Sequence, residues 1–296
     1  MPQSQLSMAL AKLKTPSANK QSRKPLDVLE TLFEYSRSYQ GSFKACIEEL
    51  ITTAFWKSQD FPGNPYPMLC LGLASRIDSH YDNLGHTEPA YHSRKHFQDV
   101  CLALTALLDQ PIKSVQKSDF HDLWEISGEE AWVLLFCAIA HDFGHDGSTN
   151  KTPFELEKSS IERTRLFLSQ STVTPAAVSE LLAQQIETII LATDPSFLST
   201  LLAKLNDPSA NPTKTDCLSM LMVESDLLAS ALPLRGRMLG KLLGREWESI
   251  DPKAAAAVTS NQGRLKFLEH IRFLSPHAIM LGMEDIRQHS IEQLKA

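Results

Sequence analysis

Hydrophobic residues recur every three or four positions along most of the chain from residue 25 onward. Leu26, Leu29, Leu32 and Phe33 show this spacing, which is typical of amphipathic α-helices. No segment alternates apolar and polar residues as a half-buried strand does, so the pattern predicts an all-α fold. Later helices are predicted over 153–170, 174–193, 214–230, 233–246, 262–273 and 276–293.

The stretch "AWVLLFCAIA" is apolar on every side, which is typical of an element buried in the centre of a domain. A buried parallel strand is the alternative, but the length and alanine content favour a helix. We expect one compact domain, over residues 26–296, to form around it.

Residues 1–25 differ in character, since several lysines and arginines occur there without an acidic residue. Such a segment has little apolar surface to bury, so it is predicted to be a flexible basic tail.

Charge and composition narrow the classes of function. Lys and Arg total 29 against 35 Asp and Glu, a net charge of −6, which argues against nucleic-acid binding. No apolar run is long enough to span a bilayer and no secretory signal is evident, so a cytoplasmic protein is predicted. Its five cysteines are interpreted as reduced core thiols: Cys46, Cys70, Cys101, Cys137 and Cys217.

Two short segments, "YHSRKHFQDV" and "HDFGHDGSTN", hold four of the ten histidines. His92 and His96 are four apart and on a helix would share one face, although surface histidines also occur at this spacing. His141 and Asp142 directly follow the apolar helix, where polar side chains are costly unless compensated. A divalent metal ion would compensate them; a histidine at a helix C-terminus is the alternative.

Asp226 is a third candidate, because it interrupts an otherwise apolar helical run, "MLMVESDLLAS". Its position next to the apolar stripe allows it to face a polar cleft. Alone it would be assigned to the exposed side of the helix. Together with the two histidine segments, it is interpreted as a metal ligand.

These segments resemble the HD superfamily of metal-dependent phosphohydrolases, and most closely the catalytic domain of class I cyclic-nucleotide phosphodiesterases. The family's "YHNxxHAxDV" is similar to residues 91–100, and its "HDxxHPGxxN" to residues 141–150. Three shorter blocks, "SVLE", "VLATD" and "CADLS", are similar to "SSIE", "ILATD" and "ESDLL" in the same order.

The resemblance implies a role for each matching residue. His96, His141, Asp142 and Asp226 would bind a first metal ion, Zn²⁺ or Mn²⁺/Fe²⁺. Asp142 would bridge to a second ion, Mg²⁺ or Mn²⁺, held mostly by water. His92 would be the general acid. Three further residues would orient the water molecules around the ions: His145, Glu162 and Thr193.

The implied substrate is a 3',5'-cyclic nucleotide, cAMP or cGMP, hydrolysed to its 5'-monophosphate. Tyr91 and Asn150 would belong to the substrate pocket, with Gln262 and Phe267 as candidates for contacts to the base. The last two are equally consistent with an ordinary helix start and core. The oligomeric state has no signal in the sequence.

The chain also departs from the family pattern, and three alternatives follow. Ser93 replaces an Asn, Gly144 an acid and Asp146 a Pro, and "DLLAS" lacks the nucleotide-contacting Asn of "DLSNP". An HD-type phosphohydrolase of another nucleotide or phosphoester is therefore the second hypothesis. A non-catalytic nucleotide-binding or interaction domain ranks below it, and an all-α scaffold with accidental histidines ranks lowest.

Overall fold

The computed structural model describes residues 5–13, 25–85, 87–112, 121–173 and 176–295. These residues form sixteen α-helices and no β-strand, which confirms the predicted all-α fold. In chain order the helices are α1 Gln5–Leu13, α2 Pro25–Ser38, α3 Phe43–Ile51, α4 Ala54–Ser58, α5 Tyr66–Asp82, α6 Arg94–Leu108, α7 Gly128–Ala140, α8 Glu155–Gln170, α9 Ala176–Leu191, α10 Leu198–Asn206, α11 Lys214–Ala231, α12 Pro233–Trp247, α13 Pro252–Thr259, α14 Asn261–His270, α15 Pro276–Met280 and α16 Met283–Lys295.

Three helices, α6, α7 and α11, contact one another at the centre of the molecule. Every residue of α7 from Ala131 to Ala140 is buried, which confirms the prediction of a central apolar helix. In α6 every residue from His96 to Leu108 is buried as well. All five cysteines are free and buried, as the interpretation of them as core thiols requires.

Capping residues fix where two of these helices begin. Ser127 and Glu130 form a reciprocal capping box at the start of α7, and Thr213 and Asp216 form one at the start of α11. A capping box satisfies two backbone N–H groups that the first helical turn leaves without partners. The caps therefore define the first residues of α7 and α11, the helices that lead to His141 and to Asp226.

Helix α12 is tied to the centre by a buried ion pair. Arg235 donates hydrogen bonds to Asp99 Oδ2 from Nη2 at 2.5 Å and from Nε at 3.1 Å. Asp99 belongs to α6 and is fully buried. Removal of one partner of such a pair leaves an uncompensated charge in the core, so the pair fixes the position of α12 against α6.

The prediction of a flexible tail is wrong for residues 5–13, which form helix α1 and contact α2. Leu6, Ala9 and Leu10 are buried and recur at helical spacing, a signal that the basic character of the segment obscured. Residues 1–4 and 14–24 lie outside the described residues. The domain boundary near residue 25 stays a prediction.

The C-terminal prediction also needs correction, because residues 276–293 form two helices rather than one. Gly282, with a φ of 75°, separates α15 from α16. That left-handed conformation ends a helix and carries no steric penalty for glycine.

Within the described part of the chain, no single helix has the length and apolar composition needed to cross a bilayer. The pair α11 and α12, bent by 94°, meets those criteria only when the two are joined.

Glu224 links the central helix α11 to the segment before α15. It is fully buried and accepts hydrogen bonds from the backbone N–H groups of Leu274 at 2.5 Å and Ser275 at 2.8 Å, and from the Ser275 hydroxyl. Burial raises the pKa of Glu224 to about 7, although these hydrogen bonds act in the opposite direction.

We expect Glu224 to make the protein less stable as the pH rises. Its pKa is about 7 in the folded chain, against an ordinary 4.5, so the folded chain binds the proton more tightly than the unfolded chain. This stabilisation is complete below about pH 4.5 and is lost as the pH rises through about 7, a difference of about 3 kcal/mol. Glu224→Gln cannot ionise and should remove this part of the pH dependence.

Urea unfolding of both proteins between pH 5 and 8 measures the effect, with the exposed Glu292→Gln as the matched control. An identical pH dependence of the free energy of unfolding in wild type and Glu224→Gln would contradict the assignment.

Candidate metal and catalytic site

Four polar side chains from the three central helices converge at one point. His96 lies in the first turn of α6, and His141 immediately follows the last residue of α7. Asp142 is the next residue, and Asp226 lies in the C-terminal half of α11. Both histidines are buried, while the aspartate side chains retain 16% and 20% exposure, so the cluster opens to solvent on its carboxylate side.

Each histidine of the cluster lies close to both carboxylates and to the other histidine. His96 Nε2 lies 3.2 Å from Asp142 Oδ2 and 3.1 Å from Asp226 Oδ1. His141 Nε2 lies 3.2 Å from Asp142 Oδ2 and 3.8 Å from Asp226 Oδ1. The two Nε2 atoms are 3.2 Å apart. The structure therefore brings all four residues that the resemblance implies as ligands to one position.

The backbone sets the tautomer of His141. Its Nδ1 lies 3.0 Å from the carbonyl oxygen of Ala138, an acceptor that requires Nδ1 to carry a proton. In the neutral ring Nε2 then presents its lone pair to the cluster. This arrangement is typical of a metal-binding histidine, whose other nitrogen is usually held by a hydrogen bond.

The imidazole and carboxylate groups of the cluster shift the pKa of one another. Burial acts to lower the pKa of His96, but the neighbouring Tyr91, Asp142 and Asp226 outweigh it and raise that pKa well above its ordinary value. Burial acts to raise the pKa of Asp142, but His141 and His96 hold it well below its usual range. Carboxylate and imidazole thus compensate each other in a position where neither is stable alone.

His92 lies beside the cluster but not on α6, which begins at Arg94 with Ser93 as its N-cap. The predicted shared helical face for His92 and His96 is therefore wrong. The two rings still meet at right angles with centroids 5.8 Å apart. The segment before α6 is held by Arg94, which donates to Glu88 at 2.7 Å and to Asp82 at 2.8 Å.

Glu246 is the main functional candidate that the sequence analysis missed. Its Oε1 lies 2.5 Å from His92 Nδ1, and its Oε2 accepts from the backbone N–H groups of Tyr91 at 2.7 Å and His92 at 3.1 Å. Its side chain is 3% exposed. Burial acts to raise the pKa of Glu246, but the contacts with His92 lower it below its ordinary value, so the group is a carboxylate.

His145 packs flat against His92, with ring centroids 3.6 Å apart and an interplanar angle of 17°. Its Nδ1 accepts a hydrogen bond from the N–H of Gly147 at 3.0 Å. Burial, followed by the proximity of His92, lowers the pKa of His145 to about 4. The ring is therefore neutral near pH 7 and fixes the orientation of the His92 ring without adding a charge.

Asn150 holds the loop after the second histidine segment. Its amide donates to Glu157 Oε2 and Asp194 Oδ2, each at 3.0 Å, and its Oδ1 accepts from Leu156 N–H at 2.8 Å. These contacts are all internal to the chain. Asn150 therefore stabilises this loop through hydrogen bonds to α8 and to Asp194. Its contact with substrate stays a prediction.

Glu162 and Thr193 do not join the four-residue cluster. Glu162 is on the exposed side of α8, because the buried stripe of that helix includes Glu157, Ile161 and Thr164. Burial raises the pKa of Glu157, whose carboxylate accepts a hydrogen bond from Asn150. The Thr193 hydroxyl donates to the carbonyl of Ile190 at 2.8 Å.

A cavity of about 290 Å³ opens beside the cluster. Tyr91 connects the two, since its ring centroid is 4.8 Å from that of His96 and its hydroxyl is 3.3 Å from Ser230 Oγ in the cavity lining. Phe267 lines this cavity, whereas Gln262 is exposed and absent from the lining; their predicted contacts with substrate stay predictions.

Comparison with known proteins gives a structural match only. No family model matches the sequence, and no curated protein matches it. Among solved structures, the Leishmania phosphodiesterase LmjPDEB1 in complex with IBMX matches with a TM-score of 0.65 and 15% sequence identity. The match covers 97% of this chain and 96% of that chain. The chain has the fold of a class I phosphodiesterase catalytic domain.

On this phosphodiesterase fold the cluster has the composition and dimensions of a divalent-metal site. Two imidazole nitrogens and two carboxylate oxygens are ligands that Zn²⁺, Mn²⁺ and Fe²⁺ accept. The donor atoms of His96, His141 and Asp226 are 3.1, 3.2 and 3.8 Å apart, in the range between neighbouring ligands of an ion with bonds of about 2.0–2.2 Å. His96, His141 and Asp226 therefore fit a metal ion, and Asp142 contacts both histidines beside them.

Proposed function

We propose that this chain hydrolyses 3',5'-cyclic nucleotides to 5'-monophosphates with divalent metal ions. The observation that carries the proposal is the convergence of His96, His141, Asp142 and Asp226 on a phosphodiesterase fold, with His92 beside them. A single one of these side chains would have an ordinary structural explanation. The four together, half-enclosed and next to a cavity, have the ligand set of a hydrolytic metal site.

The four ligands would hold a first ion, Zn²⁺ or Mn²⁺/Fe²⁺, and Asp142 would contribute to a second, Mg²⁺ or Mn²⁺. When bound, such ions neutralise the charge of an anionic phosphodiester and lower the pKa of a coordinated water molecule. His141 is prepared for this role by the hydrogen bond from its Nδ1 to the Ala138 carbonyl, which leaves Nε2 available.

His92 would be the general acid that protonates the departing ribose oxygen. Its Nδ1 donates to Glu246, so in the protonated ring Nε2 is the nitrogen free to deliver its proton. The buried carboxylate of Glu246 stabilises the imidazolium by a charge-assisted hydrogen bond. The neutral ring of His145 packs against His92 and holds it in place without repelling its charge.

The second hypothesis, hydrolysis of another phosphoester by the same centre, is favoured by the composition of the cavity. The candidate for the family's purine-binding Gln, Gln262, is exposed outside the lining. Ala229 occupies the place of the nucleotide-contacting Asn in the family pattern. The metal centre of both hypotheses is the same, and only the group bound in the cavity differs.

We expect purified protein supplied with Mn²⁺ or Mg²⁺ to convert cAMP or cGMP to the 5'-monophosphate, and EDTA to stop the reaction. Phosphorus NMR distinguishes the 5'-product from the 3'-product. Hydrolysis that continues unchanged in EDTA would contradict the metal-dependent mechanism. Failure with both cyclic nucleotides, but turnover of another phosphoester, would leave the second hypothesis.

We expect His92→Ala to lower kcat by about 10²–10⁴-fold, the usual contribution of a general acid. Metal content measured by atomic emission should stay at the wild-type value, since His92 is not among the four ligands. Glu246→Gln should lower kcat less and shift its pH profile, because the amide still accepts the backbone N–H groups of Tyr91 and His92 but carries no charge.

The exposed His270→Ala serves as the matched control and should behave as wild type. Full activity in His92→Ala would exclude its role as the general acid, and loss of metal from that variant would place it among the ligands instead.

A further inference from the structure

The cavity beside Tyr91 is cationic in a protein whose net charge is −6. Three of its lining residues are basic, namely Arg237, Lys241 and Arg264, and none is acidic. The first two are exposed and the third is half-buried. In the described part of the chain, none of the three forms an ion pair with a carboxylate.

The position of Arg264 is defined by contacts with backbone rather than with acids. Its guanidinium donates to the carbonyl oxygens of Ser230 at 3.2 Å and Leu232 at 2.7 Å. It also packs against Gly236 of α12, where an added Cβ would lie 2.6 Å from Arg264 Nη1. The helices therefore hold this cation against α12, and its charge remains without a direct counter-ion.

The three cations repel one another in the absence of a ligand. Arg237 and Lys241 are four residues apart on α12, so they share a face, and like charges at this spacing destabilise a helix. Burial, followed by the charge of Arg237, lowers the pKa of Arg264 to about 10. Glu30 opposes this shift, but its oxygens accept the backbone N–H groups at the start of α12.

The first turn of α14 adds to the positive potential. Ser260, Asn261 and Gly263 line the cavity, and Ser260 is the N-cap of this ten-residue helix. The N-terminus of a helix carries a partial positive charge and favours an anion. Arginine binds phosphate through paired N–H groups, and lysine binds it as a point charge.

On the second hypothesis, hydrolysis of another phosphoester at the same metal centre, we propose that the substrate carries a second phosphate group that binds Arg237, Lys241 and Arg264. One phosphate of the substrate then lies at the cluster of His96 and Asp226, and the other lies beyond Tyr91 in the cationic cavity. The substrate class is a nucleotide with two phosphate groups. A mononucleotide with a single cyclic phosphate leaves the three cations uncompensated.

The first test measures binding of inorganic phosphate to the metal-free protein by isothermal titration calorimetry, which does not depend on turnover. Arg237→Ala/Lys241→Ala should weaken this binding by about tenfold or more, the effect of about 1.4 kcal/mol. Both substitutions replace exposed helical residues with the best helix former, so folding should be retained. Lys253→Ala/Lys266→Ala, with the same change in charge on exposed faces of α13 and α14, should bind as wild type.

The second test compares two linear dinucleotides, pApA and ApA, which differ only in a terminal phosphate. With metal supplied, kcat/KM for pApA should exceed that for ApA by about tenfold or more. The ratio should fall towards one in Arg237→Ala/Lys241→Ala and stay unchanged in Lys253→Ala/Lys266→Ala.

The outcomes separate this inference from the proposed function. Phosphate binding that is absent, or that is the same in wild type and in Arg237→Ala/Lys241→Ala, overturns the inference even if cAMP is hydrolysed. An equal kcat/KM for pApA and ApA in the wild type also overturns it. Phosphate binding that depends on Arg237 and Lys241, without hydrolysis of any phosphoester, supports the anion site and refutes the proposed function.

Discussion

The structure depends on a compensated cluster of charge at the point where its three central helices meet. The uniformly apolar α7 ends at His141 and Asp142, and burial of such groups in an apolar core costs several kcal/mol unless other charges compensate them. His96 from α6 and Asp226 from α11 supply that compensation at 3.1–3.8 Å. The relative positions of α6, α7 and α11 are therefore constrained by polar contact as well as by apolar packing. A divalent ion at the same point would satisfy all four side chains together.

Helix α12, outside this centre, contributes side chains both to His92 and to the cavity. Helix α12 contributes Glu246, which holds His92, and is itself held to α6 by the buried pair of Arg235 and Asp99. The opposite face of α12 presents Arg237 and Lys241 to the cavity. One helix thus positions both the proposed proton donor and the proposed binding group for the distal part of the substrate.

The parts of this account that are local in sequence were predictable, and the parts that depend on tertiary packing were not. Helical periodicity identified the all-α fold and the central helix, and motif order identified His96, His141, Asp142 and Asp226. Glu246 lies 154 residues from His92, and no local sequence pattern distinguishes it from the exposed acids of an amphipathic helix. Glu162 was indicated by a four-residue match alone and lies on the exposed side of α8, so its role around the ions stays a prediction. The N-terminal helix was missed because its basic residues obscured the spacing of three apolar ones.

The most direct test of the central claim is an anomalous-difference map from crystals of the protein grown with Mn²⁺ or Zn²⁺. The account predicts a peak at the meeting point of α6, α7 and α11, about 2.0–2.2 Å from His96 Nε2, His141 Nε2 and the two aspartate oxygens. A metal peak elsewhere, with these four side chains joined only to one another, would contradict it.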